Sequence, residues 1–328
     1  MSFACRICGN ERDNREYRVR EMHFGTGEEF PYVECAGCGC LQIAAVPDDL
    51  ARFYPPTYYS FAPEGRKSAI SRLVNVLRIE RNKYALFHRS FIGKMLYTIW
   101  PAEPIFGLIS TIGDLREKTI LDVGSGCGWL VNKLAEAGCK HVAGIDPFIS
   151  TDIKTAAGAI IHKKTLTSLT AAASYTYDLI MFNHSLEHMP DQYTAIHSAA
   201  ALLRSGGTLL IRVPTVGSYA WRHYGTNWVQ LDAPRHLYLH STRSMALLAE
   251  RVGLSVEQTL YDSNELQFCG SEQYLQGIPL TSPRSYLASL ENSMFTPRDI
   301  SRYRNQAQEL NQKGEGDMAA FFLRRRDG

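Results

Sequence analysis

Apolar and polar positions follow two alternating periods in the middle of the chain. Thr119–Val123, "TILDV", has the composition of a short buried strand, and "GWLVNKLAEAG" after it places apolar residues at helical spacing up to Gly138. "HVAGID" then predicts a second strand. A strand, glycine loop, helix and strand in this order predict a right-handed βαβ crossover, which begins an open parallel sheet with helices on both faces.

The same alternation continues downstream. "YDLIMFN" (Tyr177–Asn183) predicts a fourth strand, and "TLLIRVP" predicts a fifth after a turn at "LLRSGG". An irregular insertion rich in aromatic residues occupies 214–241, and the pattern from 276 to 328 predicts helices with a basic end. We therefore expect a doubly wound α/β domain over residues 104–275 and a helical extension over 276–328.

A segment upstream of this domain, residues 47–103, is predicted to be a connector followed by a basic amphipathic helix. Its first part is rich in Pro and Tyr, and between 68 and 100 apolar residues recur at helical spacing among basic residues, with Glu80 as the only acid. Two interpretations stay open. The basic face is either solvated, or it meets an anionic partner such as a nucleotide diphosphate or a membrane surface.

Charge and composition narrow the class of protein. The chain has 328 residues, and its 35 Lys and Arg nearly balance 33 Asp and Glu. Proteins that bind nucleic acid through its phosphates usually carry a larger basic excess, so the balance argues against that function. The N-terminus shows no apolar signal core and no window is long enough to span a bilayer, so we expect a cytoplasmic protein.

Five of the eight cysteines lie in the first 40 residues. Cys5 and Cys8 form one CxxC pair and Cys35 and Cys38 another. Two such turns supply four thiolates for a tetrahedral zinc ion, and a site with four protein ligands is structural. We predict a zinc-ribbon-like module over residues 1–46; reduced, unligated cysteines are the alternative.

The glycine loop "GSGCG" is compatible with two nucleotide-like ligands, a dinucleotide or S-adenosylmethionine. A dinucleotide fingerprint needs a glycine three residues after Gly126, where this chain has Trp129. Asp122 precedes the loop, and a carboxylate there suits the ammonium and sulfonium groups of S-adenosylmethionine better than phosphates. Asp146, at the end of the next strand, can accept hydrogen bonds from a ribose.

In order and spacing, "ILDVGSGCG", "GID", "YDLIMFNHSLEHMPD" and "LLRSGGTLLIRVP" resemble the class I S-adenosylmethionine-dependent methyltransferases. The resemblance implies the seven-stranded, Rossmann-like methyltransferase fold. It also implies that the glycine loop holds the methionine part of the cofactor and that the acid after the second strand holds the ribose. The cofactor-binding residues so implied are Asp122, Gly124, Ser125, Gly126, Gly128 and Asp146, together with Asn183 at the end of the fourth strand.

Chemistry is expected beyond the carboxyl ends of the strands, where ligands of open α/β sheets bind. We predict that His188 or His236 acts as the base and that Glu187 orients or tunes it; bracing of the next helix is the alternative role for Glu187 and His188. The insertion 214–241 is interpreted as a substrate lid, and a packed cover over the sheet is the alternative. The predicted substrate-binding residues are Trp221, Tyr224, Trp228, Arg235 and Tyr238.

A catalytic metal is a further hypothesis. His184, Glu187 and His188 have the spacing H-x-x-E-H. This resembles the E-x-x-E-H metal site of some methyltransferases that act on small-RNA ends or quinone precursors, although His replaces the first Glu. His236 would complete the ligand set, and a divalent ion would lower the pKa of an acceptor hydroxyl.

The double CxxC and "W..LDAPRHLY" resemble a subgroup of bacterial methyltransferases of glycan and secondary-metabolite pathways. The resemblance implies a small-molecule or glycan acceptor, including nucleotide-linked sugars. Two other functions stay open: an RNA methyltransferase whose zinc module binds nucleic acid, and a non-catalytic protein that binds a partner.

Overall fold

The computed structural model describes residues 3–55, 69–171 and 176–325, and no side chains for residues 69–72. Residues 56–68 of the predicted connector lie outside this part of the chain, as do residues 1–2 and 326–328. The chain forms two compact units. The first comprises Met1–Tyr54, Leu186–Tyr193 and Arg212–Phe321, and the second comprises Pro55–Ser185, Thr194–Ile211 and Phe322–Gly328.

The described residues form strands and helices in the following order. The strands are β1 (Arg15–Arg20), β2 (Glu29–Glu34), β3 (Leu41–Ile43), β4 (Thr119–Val123), β5 (His141–Ile145), β6 (Ile153–Lys154), β7 (Ile160–His162), β8 (Tyr177–Asn183), β9 (Leu203–Pro214), β10 (Tyr238–Leu239), β11 (Leu254–Tyr261) and β12 (Met318–Arg325). The helices are α1 (Ala69–Phe87), α2 (Phe91–Ile99), α3 (Pro104–Ser110), α4 (Trp129–Ala137), α5 (Leu166–Ala171), α6 (Gln192–Leu202), α7 (Tyr219–Tyr224), α8 (Thr242–Glu250), α9 (Leu266–Leu275) and α10 (Pro297–Gln312).

The second unit contains the predicted α/β sheet. Its strands follow the order β9-β8-β4-β5-β7-β6, and β4 pairs in parallel with both β5 and β8. The central strands are buried, as their near-continuous apolar sequences require. Helix α4 ends at Gly138, whose left-handed conformation closes the helix as the sequence predicts. The α/β methyltransferase fold is confirmed; β6 is a short antiparallel addition at the sheet edge.

The predicted basic helix of residues 68–100 is two helices. Helix α1 ends at Phe87, and α2 begins at Phe91, after a break in which His88 and Ser90 adopt positive φ angles of 53° and 106°. The Ser90 side chain caps α2 by accepting a hydrogen bond from the Gly93 N–H. The sequence did not indicate this break, because apolar residues keep helical spacing within each of the two helices.

The first unit contains a four-stranded sheet with the order β1-β2-β3-β10. The first three strands come from the cysteine-rich N-terminal segment, and β10 comes from the aromatic insertion. In the same unit β11 lies beside β12, and β12 lies beside the end of β9. The predicted N-terminal module therefore shares a sheet with the insertion.

The C-terminal extension was expected to be helical, and this is wrong for its end. Helix α10 begins with a capping box at Thr296 and Asp299, but Met318–Arg325 is strand β12. Residues 318–323 are all buried. An unbroken apolar run followed by arginines fits either a buried strand or a helix end, so the sequence period could not separate them.

Trp228 provides a test of packing in the first unit. Its indole is fully buried, and the Nε1–H donates to Asp317 Oδ2 over 2.9 Å. We expect Trp228→Phe to lower the free energy of unfolding by about 1–3 kcal/mol, because Asp317 loses a buried partner. Urea unfolding measures this. Trp129→Phe changes a half-exposed tryptophan and should stay within about 0.5 kcal/mol of the wild type; equal effects of the two substitutions would contradict the assignment.

Candidate active site

The predicted site residues are distributed over both units, and each group is described within its own unit. In the second unit, the loop after β4 contains three glycines with positive φ: 74° at Gly124, 53° at Gly126 and 80° at Gly128. A Cβ on Gly124 would lie 2.5 Å from the Ser185 Cβ, and one on Gly128 would lie 2.5 Å from the Ile161 Cδ1. Other residue types are therefore excluded at both positions by backbone conformation and by space.

Two acids flank this loop. Asp146 accepts hydrogen bonds from the Gly126 N–H through Oδ2 (2.9 Å) and from the Phe148 N–H through Oδ1 (2.8 Å). Each carboxylate oxygen can accept further bonds, so Asp146 keeps capacity for a ribose hydroxyl. Burial, and secondly the charge of Asp146, raise the pKa of Asp122 to about 7. A cation bound near Asp122 would reverse this shift.

The loop also contains a buried polar atom that the expected cofactor could bind. Ser125 Oγ is shielded from solvent and has no hydrogen-bond partner among the described residues. Its loop is shaped by the absence of a side chain at Gly144, where a Cβ would lie 2.4 Å from the same Oγ. This loop combines closely packed glycines with the buried Asp122 carboxyl group and the unpaired Ser125 hydroxyl. Such groups suit a ligand that carries both an ammonium group and polar acceptors.

Ser185 is a structural residue of this region that sequence reasoning missed. Its Oγ donates to the Val123 carbonyl over 2.6 Å, which joins the end of β8 to the end of β4. Asn183 ends β8 as predicted, and His184 follows it with a positive φ of 55°. A serine before a helix is usually interpreted as an N-cap residue, so nothing in the sequence indicated that Ser185 bonds to a neighbouring strand.

In the first unit, Glu187, His188 and His236 come together. One ligand atom of each lies within 4.8 Å of the others, and the two imidazole rings are 4.8 Å apart between centroids. Glu187 is fully buried. The structure thus assembles the three residues predicted to be catalytic, although 48 positions separate His188 from His236 in the sequence. His184, the other predicted metal ligand, belongs to the second unit.

Hydrogen bonds define which nitrogen of each histidine is available. His188 Nδ1 lies 2.9 Å from the Arg235 carbonyl oxygen, and His236 Nδ1 lies 2.7 Å from the Gln230 carbonyl oxygen. A carbonyl oxygen only accepts, so each Nδ1 carries a hydrogen, and when the ring is neutral its lone pair is on Nε2. Burial, and secondly the nearby His236, lower the pKa of His188, which favours this neutral form.

Two further residues complete the surroundings of these histidines. The Tyr54 hydroxyl lies 3.1 Å from His188 Nδ1, and Asp232 Oδ2 lies 3.8 Å from His236 Nε2. Burial alone would raise the pKa of Asp232, but the charge of Arg235 and a hydrogen bond from His23 outweigh it and hold this pKa well below its usual value. Sequence reasoning missed both residues, because neither lies in a motif with the histidines.

The predicted substrate residues of the insertion form a packed layer. Arg235 is fully buried, and its guanidinium donates to Asp232 (Nε–Oδ2 2.9 Å) and lies 3.5 Å from Glu21. Trp228 is also fully buried. Internal ion pairing and packing therefore occupy these two side chains, and their role in binding a substrate stays a prediction.

The other three predicted substrate residues are buried as well. Tyr224 donates its hydroxyl hydrogen to Glu272 over 2.9 Å, Tyr238 donates to the Pro190 carbonyl over 2.9 Å, and Trp221 packs edge-on against Tyr17. The polar tips of both tyrosines are satisfied inside the unit. The part of the insertion that holds these residues is thus packed within the first unit, where β10 pairs with β3.

The four N-terminal cysteines form the expected cluster in the first unit. Cys5 and Cys38 Sγ atoms are 3.6 Å apart, those of Cys8 and Cys35 are 3.5 Å apart, and all four lie within 4.8 Å of one another. Tetrahedral zinc–thiolate bonds of about 2.3 Å place sulfurs about 3.8 Å apart, so the cluster fits zinc. The hydrogen bond with Cys38 lowers the pKa of Cys5, which favours a thiolate there.

Backbone contacts connect the cysteine-rich segment to His236. The Tyr32 hydroxyl donates to the His236 carbonyl over 2.8 Å, and the Ile43 N–H donates to the Leu237 carbonyl over 3.0 Å. Strand β3 then pairs antiparallel with β10, with Gln42 opposite Tyr238. The segment that carries the cysteines therefore positions His236, which belongs to the cluster with Glu187 and His188.

The central part of the chain is similar in sequence to known proteins. A family described as "Methyltransferase domain" matches residues 100–259. A ubiquinone biosynthesis O-methyltransferase of Nitrosomonas europaea is 31% identical over 158 residues, which cover 44% of this chain and 66% of the relative. One of Hydrogenovibrio crunogenus is 34% identical over 35% of this chain and 55% of its own length, so the chain spans between about half and two thirds of these two relatives.

Another relative extends the match. The enzyme of the same name from Nitrosospira multiformis is 29% identical over 57% of this chain and 84% of its own length. A solved SAM-dependent methyltransferase from Archaeoglobus fulgidus covers 72% of this chain and all of its own, with 12% identity and a TM-score of 0.41.

The parallel sheet, its glycine loop and the family match define a class I S-adenosylmethionine-dependent methyltransferase domain. This chain carries that domain, so the resemblance of the sequence to this class is confirmed. The resemblance to glycan and nucleotide-sugar methyltransferases stays a prediction, as do the roles of individual site residues.

The cysteine cluster leads to a prediction about metal content. We expect about one zinc per chain in the wild type, and loss of that zinc in Cys8→Ser, because three thiolates hold zinc less tightly than four. Elemental analysis by mass spectrometry measures this. Cys40→Ala is the control, since Cys40 is buried beside the cluster but is not one of its four ligands. Unchanged zinc in Cys8→Ser would contradict the assignment.

The raised pKa of Asp122 leads to a prediction about cofactor affinity. In the free protein Asp122 takes up a proton as the pH falls through about 7, whereas a bound cation favours the carboxylate. Affinity for S-adenosylmethionine should therefore be full above pH 7 and weaken by up to about tenfold for each pH unit below it. Calorimetric titration at several pH values measures this dependence.

Asp122→Asn should bind more weakly and remove most of this pH dependence. Asp114→Asn alters an exposed acid of the same unit and should leave both the affinity and its pH profile as in the wild type. An identical pH profile in Asp122→Asn and the wild type would assign the proton to another group.

Proposed function

We propose that this protein transfers a methyl group from S-adenosylmethionine to a hydroxyl oxygen of a small-molecule acceptor. The observation that carries the proposal is the pair of histidines beside Glu187: each directs Nδ1 to a backbone carbonyl oxygen, so Nε2 carries the lone pair whenever the ring is neutral. Attack of a hydroxyl oxygen on a methyl group requires removal of the hydroxyl proton, and a neutral imidazole is suited to accept it. The names of the relatives, O-methyltransferases of ubiquinone biosynthesis, support an oxygen acceptor.

When bound, S-adenosylmethionine supplies an electrophilic methyl group on its sulfonium. The residues that would hold it are the glycine loop, Asp122 for its cationic groups and Asp146 for the ribose. His188 Nε2 would accept the acceptor's proton, while the Arg235 carbonyl keeps the opposite nitrogen protonated and the ring in a single orientation. Glu187 would stabilise the imidazolium that results, since its carboxylate belongs to the same cluster.

A divalent cation is the alternative way to activate the hydroxyl. One carboxylate and two imidazole nitrogens within 4.8 Å of one another form a donor set that suits a first-row metal ion. Glu187, His188 and His236 would hold the ion, which would lower the pKa of a bound hydroxyl or diol. His184 is not required for this arrangement.

Three other expectations enter the proposal. We infer a structural zinc in the four-cysteine cluster. We also infer a cytoplasmic location, because none of the eight cysteines, all in the described part of the chain, forms a disulfide and thiolate zinc sites persist in reducing compartments. Nucleotide-linked sugars stay candidate acceptors on the strength of the double CxxC and the "W..LDAPRHLY" stretch. An RNA acceptor is disfavoured by the near balance of 35 basic and 33 acidic residues.

A labelled-methyl assay tests the proposal. The wild type is incubated with S-adenosylmethionine and either dihydroxybenzenes, nucleotide-linked sugars or RNA, and transferred label is counted. We expect transfer to a small hydroxyl compound, and a decrease in kcat of about 100- to 10,000-fold in His188→Ala with unchanged cofactor affinity. His197→Ala, on an exposed position of α6, is the control and should match the wild type.

The outcomes separate the alternatives. Wild-type turnover in both His188→Ala and His236→Ala would exclude the histidine base. Turnover that is lost on chelation and restored by Mg²⁺ would establish the cation as the activating group, with Glu187→Gln expected to abolish the restoration. Transfer of label to RNA alone would contradict the small-molecule proposal and support an RNA methyltransferase. Cofactor binding without transfer to any acceptor would favour a non-catalytic role.

A further inference from the structure

Helix α2 of the second unit exposes an unusual set of apolar side chains. Phe91 is 79% exposed, Ile92 58%, Met95 55% and Ile99 82%. At 100° per residue these four positions fall within about a 100° arc of the helix, so they form one continuous stripe. Together with the neighbouring cations Arg89 and Lys94, they are called the α2 patch.

The orientation of the patch is set by how α2 packs on α1. Gly93 is buried on the opposite face of α2, where a Cβ would lie 2.4 Å from the Glu80 carbonyl oxygen of α1. On the same inner side, the rings of Tyr97 and Tyr84 are 5.6 Å apart. Close backbone approach at Gly93 leaves α2 little freedom to rotate, so the stripe faces outward as a property of the packing.

Charge identifies what the patch would meet. Between residues 73 and 100 the chain has five Lys and Arg against one acid, Glu80, and that acid bonds to Lys83 over 2.8 Å. Arg89 and Lys94 are exposed at the border of the apolar stripe. A second copy of this chain would bring the same cations into apposition, and like charges at an interface are unfavourable. The patch is complementary to an apolar surface that carries negative charge.

We propose that the α2 patch docks this protein on the surface of a bilayer that contains anionic phospholipid. A helix with aromatic and aliphatic residues on one side and basic residues at its border lies in the plane of the membrane interface, with its apolar side chains among the acyl chains and its cations at the headgroups. Nine residues are far too few to span a bilayer, and no helix of the described residues is long and apolar enough to cross one. Docking is therefore peripheral.

Vesicle sedimentation of the full chain tests the proposal. We expect the wild type to bind vesicles of phosphatidylcholine with added phosphatidylglycerol, to bind phosphatidylcholine alone much more weakly, and to dissociate as salt is raised. Phe91→Ser combined with Ile99→Ser should reduce the partition coefficient by at least about tenfold. Arg89→Glu combined with Lys94→Glu should remove the preference for the anionic vesicles.

Controls distinguish docking from other effects. Leu287→Ser combined with Leu290→Ser changes two exposed leucines of the first unit and should bind vesicles as the wild type does. All substituted side chains are exposed, and an unchanged thermal melting curve verifies folding. Failure of the wild type to bind anionic vesicles, or equal binding by the Phe91 and Ile99 variant, would overturn the proposal. Sedimentation velocity that shows a dimer dissociated by that variant, without vesicle binding, would assign the patch to contact between copies.

Discussion

The organisation of the first unit depends on a very short pairing of backbone, two residues of β10 with two of β3. Leu239 lies opposite Leu41 and Tyr238 opposite Gln42, and the Ile43 N–H reaches the Leu237 carbonyl. This pairing holds the residue that directly follows His236. Since a strand of two residues is too short to be stable by itself, its geometry comes from the sheet that it joins. The four clustered cysteines belong to the same segment as β1, β2 and β3, so the folding of that segment and the placement of His236 are linked.

Two buried acids of this protein, Asp232 and Asp122, have opposite pKa shifts. Asp232 keeps its charge, because Arg235 and His23 surround it. Asp122 lies near another carboxylate and has a raised pKa of about 7. The first acid is committed to an internal ion pair, whereas burial and the charge of Asp146 raise the pKa of the second, an effect that a nearby cation would oppose.

Local sequence was sufficient to predict the elements of the α/β sheet and the cysteine cluster. Gly124, Gly126 and Gly128 signal positive φ by residue type alone, and CxxC spacing places two sulfurs on one turn. The roles of the aromatic residues were not predictable. Trp and Tyr residues occur both in lids and in cores, so residue type does not show where Trp228 and Tyr224 lie. Their environment depends on Asp317 and Glu272, which are distant in the sequence. Tyr54 and Asp232 were missed for the same reason, because their importance arises from tertiary contacts with the histidines.

The sharing of one sheet by the N-terminal segment and the insertion has a consequence for dissecting the molecule. A fragment that starts at the methyltransferase domain would keep β10 and lose β3. The Leu41-facing side of β10 would then be exposed, and the Leu237 carbonyl would lose its donor, the Ile43 N–H. An uncovered apolar edge of this kind attracts other chains. We therefore expect a fragment limited to the domain match, residues 100–259, to be less stable than a chain that keeps the first 46 residues.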